Sequence, residues 1–109
     1  MNYKVKSIAV FERQAKKLIK KYPSLKTEIF EIVKALKVNP AIGISLGKNC
    51  FKIRISIASK GKGKSGGARI VTNFVLQENT IFLLTIYDKS EKSTITDKEL
   101  SELLDAIPQ

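Results

Sequence analysis

The apolar residues of the chain change their spacing near residue 50, and this change constrains the fold more than any other feature of the sequence. Upstream of it, two stretches repeat apolar residues every three or four positions, which is typical of amphipathic helices. Downstream of it, Phe51, Ile53 and Ile55 alternate with polar residues, as in a half-buried strand. Both periods occur within 109 residues, which is the length of one domain of typical size.

The order of the predicted helices and strands indicates a single α+β domain. Pro23 separates the two helical stretches, which predicts an antiparallel helical hairpin. Thr96 and Glu99 have the spacing of a capping box, and an apolar stripe follows them to Ile107. The predicted helices of the hairpin cover 10–22 and a stretch from 25 to near Asn39, and the predicted strands cover 3–6, 51–57, 69–76 and 80–87. The order β-α-α-β-β-β-α predicts one domain over residues 1–109, with an antiparallel sheet packed by the hairpin and a C-terminal helix.

The composition excludes several kinds of site. The chain has no histidine, which removes the serine and cysteine triads and the common ligand sets of metal hydrolases. Its single cysteine, Cys50, cannot form an internal disulfide or a structural zinc site, so we interpret it as structural. We expect no metal and no small-molecule cofactor. No apolar run reaches the roughly 18 residues that cross a bilayer, and no signal-peptide core precedes the domain, so we expect a cytoplasmic protein without a membrane partner.

Positive charge is concentrated in the middle of the chain. The formal net charge is +10, and residues 32–77 carry nine bases and no acid. Residues 78–109, in contrast, carry three bases and seven acids. A long block of one sign creates a field that attracts a polyanion, most often a nucleic acid. A solvated, lysine-rich surface is the alternative interpretation.

The segment 58–65 fits a relaxed phosphate-loop pattern, with Ala58 in place of the first glycine. Such a loop binds phosphates because a helix begins directly after its lysine. Here Gly66 and Gly67 follow, and then a stretch with strand periodicity. We therefore interpret residues 60–67 as a glycine–lysine loop between strands and not as a site of nucleotide hydrolysis.

Alternation along the three later strands predicts a basic face on the sheet. If the apolar residues face the core, the polar residues of the strands share the opposite surface. The residues predicted on this face are Lys52, Arg54, Arg69, Asn73 and Tyr87, and the glycine–lysine loop adds Lys60, Lys62 and Lys64 at its border. A basic groove with an aromatic side chain suits single-stranded RNA, through phosphate contacts and base stacking. Each residue also has a structural interpretation, such as an ion pair of Arg69 with Asp88 or Glu91.

Three segments carry a resemblance to a known family. They are the opening stretch with Phe11-Glu12-Arg13 and Lys20-Lys21-Tyr22-Pro23, the stretch from Phe51-Lys52-Ile53-Arg54 through the glycine–lysine loop to Gly66-Gly67-Ala68-Arg69, and Leu84-Thr85-Ile86-Tyr87-Asp88-Lys89-Ser90-Glu91. Together they resemble toxins of the RelE/ParE superfamily, in particular its HigB-like branch, over nearly the whole chain. The resemblance implies a RelE-like fold and the toxin of a type II toxin–antitoxin pair.

The same resemblance implies an mRNA endoribonuclease that depends on the ribosome, acts in its A site without metal and inhibits translation. In this chemistry the RNA 2′-hydroxyl attacks the adjacent phosphate, cations stabilise the phosphorus centre, and an acid protonates the leaving 5′-oxygen. The expected catalytic residues are Arg69, Lys64, Lys89 and Tyr87, and the expected RNA contacts are Lys52, Arg54, Lys60, Lys62 and Asn73. Ser90 stands where some relatives have a second arginine, and Thr96 where they have a catalytic tyrosine, so the assignment of acid and base stays open.

Two other functions fit the same residues. One is a non-catalytic inhibitor of the ParE type, acting on DNA gyrase, and the other is a basic RNA-binding module without chemistry. The partners expected for a toxin are mRNA, the ribosome and an acidic or DNA-binding antitoxin protein. Lysines of the first helix and an apolar groove beside the hairpin are expected to receive that antitoxin.

Overall fold

The helices and strands follow the predicted order, with one additional strand. The computed structural model describes residues 2–60 and 66–108. Its strands are β1 (Lys4–Ser7), β2 (Ile44–Gly47), β3 (Cys50–Ile55), β4 (Ala68–Val75) and β5 (Thr80–Asp88). Its helices are α1 (Ala9–Lys21), α2 (Leu25–Val38) and α3 (Asp97–Asp105), with short 3-10 turns at Ala58–Lys60 and Leu76–Glu78. The predicted α+β fold is confirmed.

All five strands belong to one sheet, in the order β1-β5-β4-β3-β2. The pairs β2–β3, β3–β4 and β4–β5 are antiparallel, as predicted, whereas β1 runs parallel to β5. No tight turn determines the direction of β1 relative to β5, because the two strands are far apart in sequence. Pairing with β1 on one side and β4 on the other places β5 inside the sheet, and all nine of its residues are buried.

The strand that sequence analysis missed is β2, at the edge of the sheet. It pairs with β3 through a tight turn in which Lys48 and Asn49 have φ angles of 55° and 59°. Two consecutive residues in the left-handed region are typical of the short turns that join antiparallel strands. The strand has only four residues and ends in Gly47, which leaves too short an alternation to indicate a strand.

The helical hairpin packs against the sheet. Helix α1 contacts β5, and α2 contacts β1. Gln14 adds a polar link, because its Oε1 accepts hydrogen bonds from Thr85 Oγ1 at 2.7 Å and from the Ile86 backbone N at 3.1 Å. The buried residues of the hairpin are Phe11, Ala15, Leu25 and Leu36. The position of α1 is therefore fixed relative to the end of β5.

Helix α3 also contacts β5. Its predicted capping box is confirmed, since Thr96 Oγ1 accepts a hydrogen bond from the Glu99 backbone N and Glu99 Oε1 accepts one from the Thr96 backbone N. Leu100 is buried, and Lys48 Nζ donates a hydrogen bond to Ser101 Oγ at 3.4 Å, which links α3 to the turn after β2. None of the helices in the described parts of the chain has the length and apolar character needed to cross a membrane.

The end of β4 differs from the prediction. The predicted strand 69–76 includes Leu76 as one of its apolar residues, but β4 ends at Val75, and Leu76 is 68% exposed in the 3-10 turn that follows. Asn79 then adopts a φ angle of 50°, so the chain turns into β5 at the predicted position. Alternation in the sequence could not show where β4 ends. Leu76 continues the apolar pattern of the strand, although it belongs to the 3-10 turn.

Candidate functional site

The register of the sheet places two arginines and a tyrosine side by side. Arg54 of β3 lies opposite Arg69 of β4, and Arg69 lies opposite Tyr87 of β5. Directly opposed residues of neighbouring strands share one face of the sheet and lie within reach of each other. We call these three residues the arginine–tyrosine row. The structure thus brings together three of the residues that alternation placed on the basic face.

Arg69 is the buried centre of the arginine–tyrosine row. Only 3% of its surface is exposed, whereas Arg54 beside it is exposed to solvent. Burial lowers the pKa of the Arg69 guanidinium, the Arg54 charge lowers it further, and Tyr87 opposes the shift. The Arg69 Nη1 donates a hydrogen bond to the Ala68 carbonyl oxygen at 3.1 Å. Two neighbouring guanidinium groups favour a bound anion, because their N–H donors match the geometry of phosphate oxygens.

Tyr87 forms the other end of the row. It is 7% exposed, and its hydroxyl has no hydrogen-bond partner among the residues that the structure describes. Burial raises the pKa of Tyr87, and the charge of Arg69 partly offsets this. The ammonium group of Lys92 lies 5.8 Å from the centre of the tyrosine ring. At neutral pH the hydroxyl is therefore protonated and can donate a hydrogen bond to a ligand.

The basic face is more buried than alternation alone indicated. Lys52 is half-buried and lies in the next row on the same face, opposite Val71. The side chain of Lys92, which packs on the Tyr87 ring, also forms an ion pair with Glu99 of α3. Helix α3 therefore borders this face and leaves Arg54 as the exposed end of the row.

Asn73 lies apart from the row and has a structural environment. Its Nδ2 donates hydrogen bonds to the carbonyl oxygens of Lys48 and Asn49, at 3.1 and 3.3 Å, and lies 3.5 Å from Cys50 Sγ. The predicted RNA contact of Asn73 stays a prediction that this geometry does not favour. Cys50 is itself buried, and burial raises the pKa of its thiol. Across residues 2–60 and 66–108, no three histidine, cysteine, aspartate or glutamate side chains cluster as metal ligands would.

The turn after β5 holds Lys89 close to the row. Asp88 lies opposite Ala68, on the other face of the sheet from Arg69. Its carboxylate accepts hydrogen bonds from the backbone N and Oγ of Ser90, at 3.0 and 2.8 Å, and from the Tyr22 hydroxyl at 3.3 Å. The half-buried Lys89 follows and donates its backbone N–H to the Gly67 carbonyl oxygen at 3.0 Å. Lys89 is thereby held beside the end of the glycine–lysine loop.

The first residues of the loop region are fixed by the start of α2. The Ala58 backbone N donates a hydrogen bond to Glu28 Oε2 at 2.8 Å, and the Ser59 backbone N donates one to Ser24 Oγ at 2.9 Å. The Oγ atoms of Ser24 and Ser59 are also 2.7 Å apart. These bonds hold the polypeptide just before the loop against the helical hairpin.

The other end of the loop requires glycine. A Cβ atom on Gly67 would lie 1.9 Å from the Ile55 carbonyl oxygen, so no larger residue fits without moving the backbone. The strand β4 begins at the next residue, so the loop is followed by a strand, as predicted, where a phosphate loop would continue into a helix. Among the lysines predicted to contact RNA or act in catalysis, Lys62, Lys64 and the side chain of Lys60 lie outside the described residues.

A cavity next to Tyr87 contains residues that sequence analysis did not assign to the site. It has a volume of about 440 Å³ and lies between α1 and the end of β5. Its polar lining includes Gln14, Lys17, Lys21, Asp88, Glu91 and Lys92. The spacing of Lys17 and Lys21 places them on one side of α1, but only the packing of α1 on β5 shows that this side adjoins Tyr87. We call this space the α1–β5 cavity.

Comparison with known proteins identifies the family. A model of the family described as the RelE toxin of the RelE/RelB toxin–antitoxin system matches residues 3–107. The chain belongs to the RelE toxin family. Membership implies a cognate antitoxin as the partner of this toxin.

Solved structures show the same fold. The toxin is similar to an arginine-to-alanine double mutant of Escherichia coli RelE in the free state, with 17% identity, coverage of 99% of this chain and 100% of the other, and a TM-score of 0.63. Isolated Escherichia coli RelE gives 15% identity, coverage of 94% and 96%, and a TM-score of 0.51. A metal-bound toxin from Helicobacter pylori gives 20% identity, coverage of 83% and 98%, and a TM-score of 0.52. At these identities the similarity supports the RelE-like fold.

Proposed function

We propose that this toxin is a ribosome-dependent mRNA endoribonuclease that works without a metal ion and inhibits translation in the cytoplasm. The observation that carries the proposal is the arginine–tyrosine row. It combines a buried guanidinium, a second guanidinium open to solvent and a buried hydroxyl without a partner among the described residues. A phosphodiester placed on the row would receive positive charge from the arginines and a hydrogen bond from Tyr87.

The proposed reaction is transesterification within the RNA. The 2′-oxygen loses its proton and forms a bond to the adjacent phosphorus, while the bond from phosphorus to the 5′-oxygen of the next nucleotide breaks. The products are a 2′,3′-cyclic phosphate and a free 5′-hydroxyl. In the transition state the phosphoryl oxygens gain negative charge, so groups that stabilise this charge lower the barrier most.

The residues of the row have distinct proposed roles. Arg69 binds the phosphoryl oxygens and stabilises the transition state, because its guanidinium is largely shielded from water. Arg54 shares this charge and contacts the RNA backbone, as does Lys52 in the next row. Tyr87 is the proposed acid, since a pKa raised by burial keeps its proton available for the leaving 5′-oxygen.

The base and the remaining RNA contacts are proposed on the loop and the turn. Lys89 is held beside Gly67 and is a candidate base together with Lys64. Lys60 and Lys62 are proposed contacts to messenger or ribosomal RNA, which would hold the toxin in the A site. Ammonium groups on a glycine-rich segment can approach a phosphodiester backbone closely.

Controlled expression in a bacterium tests the proposal directly. We expect growth arrest together with mRNA cuts, mapped by sequencing of 5′ ends, that occur only in translated frames. Mutating the start codon of a reporter should remove its cuts, because untranslated mRNA does not enter the A site. Growth arrest with intact mRNA, together with loss of supercoiling by purified DNA gyrase, would instead establish the ParE-type alternative. RNA binding without arrest or cuts would establish the RNA-binding module.

We also propose where the antitoxin binds. An apolar groove of about 430 Å³ lies between α1 and α2, and Phe30 in it is 61% exposed. Lys26 lines the groove, and Lys34 Nζ lies 5.7 Å from the centre of the Phe30 ring. An amphipathic antitoxin segment with an apolar side and acidic flanks would complement both the groove and its lysines.

A further inference from the structure

We propose that the α1–β5 cavity is a subsite for one nucleotide of the RNA, adjoining the nucleotide whose phosphate is cleaved. This inference rests on the proposed function, because it places the ligand next to the arginine–tyrosine row. It adds helix α1 to the RNA-binding surface. In the proposed function, the sheet, the glycine–lysine loop and the turn after β5 form that surface.

The location of the cavity ties it to the row. Tyr87 is a member of the row and also lines the cavity, so a ligand that fills the cavity lies directly beside the row. The Tyr87 hydroxyl is buried and lacks a hydrogen-bond partner among the described residues, which is costly for a polar group unless a ligand supplies one. An RNA hydroxyl or phosphate oxygen at this point would satisfy it.

The size and walls of the cavity suit a nucleotide. A volume of about 440 Å³ falls within the usual range for small-ligand sites. Leu18 of α1 and Ile86 of β5 provide apolar walls that a base could pack against. Lys17 and Lys21 lie one helical turn apart on α1 and line the same cavity, so both ammonium groups can reach one backbone phosphate.

The acidic groups in the cavity do not prevent binding of a phosphate. The Asp88 carboxylate is buried and accepts hydrogen bonds from Ser90 and Tyr22. Glu91 forms an ion pair with Lys21 at 3.4 Å, and both side chains are more than half exposed. An ion pair this exposed contributes little stability, so a phosphate can replace Glu91 as the partner of Lys21.

The decisive comparison uses two double variants with the same change in net charge. Lys17→Ala with Lys21→Ala removes the two lysines of the cavity, whereas Lys16→Ala with Lys20→Ala removes two neighbouring lysines that do not line it. All four side chains are exposed on α1, and alanine favours helix, so both proteins should fold. On programmed ribosomes we expect the first variant to raise KM about fivefold, with kcat within about twofold, and the second to leave both unchanged.

A binding measurement tests the subsite without relying on cleavage. Adenosine 3′,5′-bisphosphate is titrated into the full chain carrying Arg69→Ala and followed by amide NMR shifts. We expect shifts at Leu18, Ile86 and Tyr87, and a Kd about fivefold weaker when the cavity lysines are also replaced. Glu91→Gln should tighten binding, because it removes the competing carboxylate.

The possible outcomes separate the two proposals. If the wild-type toxin cleaves mRNA and the two lysine pairs behave alike in both assays, the subsite is wrong and the proposed function stands. If the wild-type toxin does not cleave mRNA, the proposed function fails, and the titration alone decides whether the cavity binds a nucleotide. Shifts spread over all exposed lysines with equal Kd values would overturn the subsite.

Discussion

Arg69 of β4 and Tyr87 of β5 are direct cross-strand partners, and both side chains are buried. Burial disfavours the charged form of each group, which lowers the pKa of the arginine and raises that of the tyrosine. Neither effect stabilises the folded protein. Groups that cost stability in the free protein and match a ligand are typical of functional sites.

Replacement of the central arginine should abolish activity. We expect Arg69→Ala to reduce mRNA cleavage by about 10²–10³-fold, because one preorganised group that stabilises the transition state contributes on this scale. Arg69→Lys should recover only part of the loss, since an ammonium group lacks the planar fork of donors. Cleavage of a translated reporter on purified ribosomes gives the rates.

Two controls distinguish loss of chemistry from loss of fold. Arg13→Ala removes an exposed arginine of α1 and should cleave like the wild type. The Arg69 variants should keep a cooperative thermal transition and bind the antitoxin. Full toxicity of a folded Arg69→Ala protein would falsify the role proposed for this residue.

Removal of the Tyr87 hydroxyl should separate activity from stability. Tyr87→Phe keeps the ring and deletes a buried group without a partner among the described residues, so the free energy of unfolding should stay constant or rise by about 1 kcal/mol. Cleavage should fall by about 10²–10⁴-fold if Tyr87 is the acid. Urea unfolding and single-turnover cleavage, measured on the same samples, check both parts. Unchanged cleavage would assign the acid to another group.

The raised pKa of Tyr87 predicts a stability difference at high pH. In the unfolded chain the phenol loses its proton near its ordinary pKa of about 10, whereas in the folded protein burial delays this loss. The unfolded state therefore binds fewer protons above about pH 10, and the folded state loses stability there. We expect the free energies of unfolding of the wild type and of Tyr87→Phe, measured in urea, to diverge between about pH 9 and 11. The wild type should lose more of its stability over this range. If the free energies of unfolding of the two proteins change in parallel with pH, Tyr87 has the same pKa in the folded and unfolded states.

Gly67 should be essential for the fold around the loop. The Cβ of Gly67→Ala would lie 1.9 Å from the Ile55 carbonyl oxygen, so we expect a loss of about 2–3 kcal/mol in the free energy of unfolding. Gly47→Ala is the matched control, because its Cβ meets open space but its φ of +83° strains an alanine by about 1 kcal/mol. Chemical denaturation of both variants measures which one loses more free energy of unfolding. Equal losses would mean that the backbone at Gly67 moves easily.

The antitoxin proposal predicts a specific effect of Phe30. Phe30→Ala should speed dissociation of the cognate antitoxin about tenfold or more, because an exposed aromatic in an apolar groove is a typical interface anchor. Leu76→Ala removes a similarly exposed apolar residue outside the groove and should change the rate by less than about twofold. Surface plasmon resonance with immobilised antitoxin gives both rates. Equal dissociation rates for the two variants would show that the antitoxin binds another face of the toxin.

The sequence by itself determined the class of fold and most of its elements. Both helices of the hairpin, the capping box at Thr96 and four of the five strands follow from periodicity and local signals, which act over a few residues. The alignment of Arg54, Arg69 and Tyr87 on one face follows from alternation as well. Alternation is a local property that the antiparallel pairing of neighbouring strands preserves.

Only the tertiary structure decided which of these residues are buried and what surrounds them. The parallel pairing of β1 with residues 80–83 places β5 inside the sheet, and all nine residues of this strand are buried, although alternation described it as half-exposed. Tyr87 lies beyond the β1 pairing, and burial raises its pKa. Packing of α1 against the same strand brings Lys17 and Lys21 to its end. These relationships join residues about 70 positions apart (Gln14 to Thr85 is 71). No local pattern specifies them, because desolvation and charge interactions depend on three-dimensional distance.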